Sequence, residues 1–218
     1  MKKNIILTTL VGCLAYIILA SNASGYGRAG HDATGASGAG TGANGGCSCH
    51  SVSSSIAVFV ELDSAGIPVT NYHPGASYTI KISGTNNSTA TLPKFGFQVS
   101  CVAANSNNAG GANTAGSPSC VNAGTWGTLP ASTRISTGTF PTSIVEQSAA
   151  ITATTGTGGT GTTYVESIPW TAPAAGTGAV VIYGVLNAVN NNGSESGDLS
   201  NIAQTLFIYE FGHVATCN

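Results

Sequence analysis

The chain predicts an all-β fold: an antiparallel β-sandwich of seven to nine short strands, preceded by a Gly-rich leader. Two observations carry this. From residue 53 onward apolar residues recur with period two, and nowhere past the first two dozen residues do they recur at helical spacing over three turns. The periodic segments are also punctuated by Pro74-Gly75, Gly84-Thr85-Asn86-Asn87 and stretches at 173–178 and 190–193, all suited to turns. Short strands with such breaks imply a sandwich rather than a βαβ fold.

The order along the chain begins with export. Met1-Lys2-Lys3 is a positive start, residues 5–20 are apolar, and Ser21-Asn22-Ala23 supplies the small residues of a cleavage site. Residues 1–23 therefore read as a signal peptide of bacterial style, predicting a secreted, extracellular or periplasmic protein with no transmembrane segment after cleavage. Leu10-Val11-Gly12-Cys13 gives a second reading, a lipobox with Cys13 as a lipid-anchored N-terminus, although residues 14–20 stay apolar. Residues 24–50 form the leader, SGYGRAGHDATGASGAGTGANGG followed by Cys47-Ser48-Cys49-His50. So little apolar side chain cannot offset the ordering entropy, so order here depends on what the segment packs on or binds.

The sandwich is expected over 51–218. Residues 77–83 put Tyr78, Ile80 and Ile82 on one face. Residues 94–101 put Phe95, Phe97, Val99 and Cys101 inward, with Lys94, Gly96, Gln98 and Ser100 outward. Residues 56–62 and 179–186 are apolar on both faces, as central strands are. Further strands are expected within 144–152, 164–170 and 203–211. Residues 103–119 and 154–163 read as long loops without structural drive of their own.

Composition bounds the function. Of 218 residues, 42% are hydrophobic but only 6% charged, against roughly a quarter in ordinary soluble domains, and the net charge is −2. Nothing is available to neutralise phosphates, which excludes nucleic acid as a partner. No Gly-x-Ser-x-Gly elbow, His-Glu-x-x-His or phosphate loop occurs, so no enzyme is expected. Glu61 and Asp63 share a strand face and read as a solvated edge or a calcium contact rather than an acid/base pair. Trp126, Trp170, Tyr164 and Tyr183 read as core, with a sugar-stacking platform as the alternative.

Five cysteines follow the signal: Cys47, Cys49, Cys101, Cys120 and Cys217. An exported compartment permits disulfides, and the odd count leaves one over. Cys101 and Cys120 bracket a loop, and a bridge between them would contribute about 3 kcal/mol by loop entropy. A buried free thiol at Cys101 is the alternative.

Several pieces fall in a recognisable order: a Gly-rich start and a Cys/His knot, Tyr72-His73-Pro74-Gly75 with Tyr78, and Lys94-Phe95-Gly96-Phe97-Gln98. A cysteine-bounded loop, Ile168-Pro169-Trp170-Thr171-Ala172-Pro173 and Gly178-Ala179-Val180-Val181-Ile182-Tyr183 follow. Over about 45–210 this resembles the reelin-type (Reeler) domain and the bacterial choice-of-anchor V domain. The resemblance implies an immunoglobulin-like sandwich, export, and a structural, adhesive or binding role at the cell surface or in a matrix, without a catalytic site. The partners implied are a surface or matrix component, or a second copy of the chain.

Members of that family often carry Cys-x-x-Cys-His at the knot, the attachment signature of c-type haem. Here one residue, not two, separates Cys47 from Cys49, which strains a double thioether. Three readings stay open. Cys47 or Cys49 bridges to Cys217, leaving His50 an ordinary polar residue. Alternatively a c-type haem is held with His50 as proximal ligand and His31, His73 or His213 as the sixth, giving electron transfer. Or Cys47, Cys49 and His50 bind a soft metal ion.

Overall fold

A computed structural model describes residues 32–36, 50–104, 121–136 and 143–212. The signal peptide, Cys13, His31, Cys47, Cys49, Cys120, His213 and Cys217 lie outside them.

The described residues form β1 (Ser51–Val52), β2 (Ile56–Ser64), β3 (Ile67–Val69), β4 (Asn71–Tyr72), β5 (Ser77–Asn86), β6 (Lys94–Ala103) and β7 (Thr125–Trp126). These are followed by β8 (Thr133–Ser136), β9 (Ile144–Gln147), β10 (Ile151–Thr152), β11 (Thr163–Thr171), β12 (Val180–Val189), β13 (Leu199–Ile202) and β14 (Leu206–Glu210). The expected all-β sandwich is present, without a helix among the described residues. Every long strand falls where the sequence predicts it. β2 and β12 follow from their continuous apolar runs, the others from the strands expected around 77–83, 94–101 and 164–170. The additional strands are two to four residues long, too short to show a period.

The smaller sheet runs β3-β2-β5-β11-β7; the larger follows β1-β13-β12-β6-β9-β8, with β10 beside β6 and β14 bridging β12 and β4. Most pairs are antiparallel, but β1–β13 and β14–β4 are parallel. β12 is the spine of the larger sheet. It pairs with β6 along its whole length; its other edge is shared by β14 at Val180, Val181 and Ile182 and by β13 from Val185 to Ala188.

The inner rows of the two sheets meet in one core: Ile56, Val58, Val60 and Leu62 of β2, Ile80 and Ile82 of β5, and Tyr164, Ile168 and Trp170 of β11. Against them lie Phe95, Phe97 and Val99 of β6 and Val180, Ile182 and Leu186 of β12. Two glycines let the sheets interlock. Leu186 reaches into the space at Gly84, and Val60 and Ile82 fill the space at Gly184, where an added Cβ would stand 2.5 Å from Val60 Cγ1.

Three readings are corrected. β2 is not apolar on both faces in effect: its outward row is Ala57, Phe59 and Glu61, and Phe59 is exposed. The outward row of β6 is not solvated either, since Gly96, Gln98 and Ser100 are all buried under other parts of the chain. Residues 154–163 are not a free loop. Asn86, fully buried, donates its side-chain amide to the carbonyls of Ala90 and Gly158. Leu92 N–H donates to Gly158 O and Asn86 N–H to Thr162 O. This loop and residues 87–93 thus fasten each other, because each satisfies backbone groups the other leaves open.

Candidate functional site

Three of the motif-bearing segments, residues 72–78, 168–173 and 178–183, meet at one end of the sandwich around Trp170. Residues 94–98 pair instead with the opposite end of β12. The Trp170 ring lies 6.2 Å from Tyr72 and 6.1 Å from Tyr78 between centroids. Its Nε1–H donates to Ala123 O at 3.0 Å, Tyr72 O–H donates to Gly178 O at 2.6 Å, and Tyr78 Oη accepts from His73 N–H at 2.8 Å. Gly124, at φ +72°, is required here because a Cβ would stand 2.5 Å from Trp170 Nε1. Burial, reinforced by the neighbouring Glu210 carboxylate, pushes the Tyr72 hydroxyl well above its ordinary range. Burial alone pushes Tyr164 up to about 12. Trp170 and Tyr164 are buried in the main core, as the core reading has them, and Tyr183 is buried in a small separate cluster on the other face of the larger sheet.

Cys101 sits on the core row of β6, fully buried, and burial pushes its thiol far up. It makes no disulfide among the described residues; the bridge expected from sequence ends at Cys120, outside them.

His50 lies beside β1, at the turn that leads into β13. Its Nδ1 stands 3.3 Å from Oδ2 of the nearly buried Asp198. The contact is an ion-pair approach rather than an aligned hydrogen bond, as Nδ1 has no hydrogen-bond partner. Asp198 Oδ1 accepts Asn190 N–H at 2.9 Å, so the carboxylate is fixed by the preceding loop. With the carboxylate beside Nδ1, Nε2 is the ring nitrogen on the other side of the imidazole. His73 is far from this corner: it follows β4, whose partner β14 meets the Val180 end of β12, while Asp198 adjoins the Val189 end. Ten strand residues separate these ends, roughly 30 Å at 3.3 Å per residue, so the structure does not bring His73 to His50. Among the described residues no three His, Cys, Asp or Glu side chains are gathered as a metal set.

Several of the described carboxylates are engaged in holding the fold. Glu146, buried on β9, accepts Arg134 Nη2 at 2.7 Å, Ser136 Oγ at 2.6 Å and Gln98 Nε2 at 3.0 Å. Glu210 accepts the N–H groups of Gly176 and Gly178. Asp63 closes a turn on Gly66 N–H at 2.6 Å, and Glu61 pairs with Lys81. Glu61 and Asp63 thus serve the strand and its turn, the solvated-edge reading.

Two features went unread in the sequence. Asp32, Ala33, Thr34 and Ala36 are buried against the outward face of β6. Phe207 and Tyr209, alternate residues on the outward row of β14, are exposed, and exposed Phe211 follows with its ring 4.5 Å from that of His73. The alternation of 206–211 contained the second signal; the first left none, since its residues are small and far from β6 in sequence.

No family model and no curated protein matches the chain. Among solved structures it is similar to the human F-spondin reeler domain, at 17% identity over 75% of this chain and 96% of that one, with a TM-score of 0.43. A second F-spondin Reelin-N structure aligns at 16% identity over 74% and 88%, TM-score 0.40. A type I cohesin of ScaB from Pseudobacteroides cellulosolvens aligns at 8% identity over 74% and 97%, TM-score 0.39. The Reeler likeness is the one that the sequence motifs pointed to.

Proposed function

We propose that this chain is an exported, non-catalytic β-sandwich module that binds a surface or matrix polymer through the outward row of β14. The observation that carries this is the exposed aromatic row of Phe207, Tyr209 and Phe211, with the His73 ring in tilted contact at its end. Large aromatics on the outward face of a strand offer stacking area at low entropic cost. The engagement of several of the described carboxylates in turns and strand contacts supports a role without acid/base chemistry. Pull-down of the purified protein on cell envelope and matrix material from its native host tests this. Binding is expected, with at least a tenfold loss in the Phe207→Ser, Tyr209→Ser, Phe211→Ser variant and an unchanged circular dichroism spectrum. Absence of binding by the native chain would overturn it.

The approach of Asp198 to His50 favours a second reading, in which the knot holds a haem or soft metal through His50 Nε2. The carboxylate stands beside Nδ1, which leaves Nε2 on the other side of the ring for a ligand; Cys47 and Cys49 would supply the thiolates. Protein purified from the native host should then carry bound metal or a Soret band, weakened in Asp198→Asn. A colourless, metal-free protein with the mass of the bare chain would overturn it.

A further inference from the structure

The outward face of β6 is covered by a short segment of the same chain, residues 32–36. Ala33 N–H donates to Gln98 Oε1 at 2.7 Å, Thr34 Oγ1 lies 3.0 Å from Ser100 Oγ, and Ala36 packs with Val102, Val181 and Tyr183. Positions 98, 100 and 102 are successive outward residues of one strand, so segment and strand run alongside each other in matched order. Asp32, Ala33, Thr34 and Ala36 are each at most 4% exposed. Side chains this small reach such burial only where the receiving surface is shaped for them.

Each side of the contact is organised without the other. Gln98 is oriented by donating Nε2 to Glu146, itself held by Arg134 and Ser136, which turns Oε1 toward the segment. The segment fixes its own bend: Asp32 Oδ1 accepts the N–H and O–H of Thr34, Ala36 N–H donates to Thr34 Oγ1, and Gly35 takes φ +85°. Pre-organisation of both partners lowers the ordering cost of bringing them together. Along the chain, residues 37–49, mostly Gly, Ala and Ser, join the segment to the sandwich. The same contacts form whether it comes from the same chain or another.

We propose that two copies of this chain associate by exchanging residues 32–36, each laying its Asp-Ala-Thr-Gly-Ala segment on the outward face of β6 of the other. This rests on the reading of the chain as a binding or structural module. Exchange trades loop closure for association. A short tether sets an effective local concentration on the order of mM, so exchange grows as copies crowd.

Covalent trapping tests it on the full mature chain. A Thr34→Cys chain and an isotopically labelled Ser100→Cys chain are mixed under mild oxidation, and disulfides are mapped by mass. The double variant T34C/S100C is run alone at low concentration. The expected result is an intrachain 34–100 link in the double variant, and an interchain 34–100 link in the mixture that rises with concentration. Adding Gly35→Val to the Thr34→Cys chain, which strains the positive φ, should cut the interchain link at least fivefold. An intrachain link without the interchain one would overturn exchange, and absence of both would overturn the contact itself. Polymer binding through Phe207, Tyr209 and Phe211 is measured separately, so failure of exchange leaves that reading standing.

Discussion

At the scale of single residues, Glu166 is the side chain most at odds with its place. It shares the inward row of β11 with Tyr164, Ile168 and Trp170 and stands opposite Ile82. On its other side β11 meets β7 only at Trp170 and Thr171, and Thr154 and Thr155 cover it only up to Val165, so Glu166 lies at a gap in the cover of this edge. An inward-pointing charge is one way to keep such an edge from pairing with another chain. Desolvation raises its pKa, partly opposed by the N–H of Ser167. Between the unfolded value and the raised folded value, the native state keeps a proton that the unfolded chain has lost. Stability therefore falls as pH rises through that window, and the loss persists above it. Thermal melts of Glu166→Gln against the native chain should coincide below about pH 4 and favour the variant at pH 7. Equal melting temperatures at both pH values would contradict the desolvation. The variant should also aggregate more readily, because the edge is no longer guarded. Cys101 gives a simpler expectation: at pH 8 iodoacetamide should leave it unmodified in the folded protein, read by peptide mass, since a buried thiol is inert.

At the scale of elements, alternation and continuous apolar runs were enough to place the long strands but not to say what covers them. The inward rows of β5 and β6 were legible because Ile, Tyr, Phe and Val alternate with polar residues. The cover over Gln98 and Ser100 was not, because polar side chains on an outward row read the same whether water or a hydrogen-bonded segment lies above them. His50 was singled out by its neighbours Cys47 and Cys49, yet nothing in the sequence tied it to Asp198, 148 positions away. Glycines inside strands were equally silent: Gly184 reads as a weak point in β12 but is where Val60 of the other sheet enters. Gly184→Ala should cost about 1–3 kcal/mol by overpacking, measured by urea unfolding. Val60→Ala in the same chain should recover part of that loss, since the two changes act on one contact and are not additive. A double variant as unstable as the sum of the single ones would show that Gly184 matters for another reason.

At the scale of the whole molecule, the fold has one main core and a thin outer layer. The main core joins both sheets, whereas Ala36, Val102, Val181 and Tyr183 form a separate small cluster on the far face of the larger sheet. A few alanine-sized side chains bury little apolar surface, and apolar burial at about 25 cal/mol per Å² sets how much energy an opening costs. The outer layer should therefore open well below the free energy of global unfolding, while the two sheets, sharing a core, should unfold together. Native-state hydrogen exchange should show the Ala33 N–H, donated to Gln98, exchanging through a local opening, at least a hundredfold faster than the Ile182 N–H in the central strand. Trp fluorescence, which reports on the smaller sheet, and far-ultraviolet circular dichroism, which reports on both, should give one coincident thermal transition. A molecule built this way can release its leader without losing its fold. If Ala33 exchanged only as slowly as Ile182, the leader would be part of the cooperative unit and could leave β6 only by unfolding the sandwich.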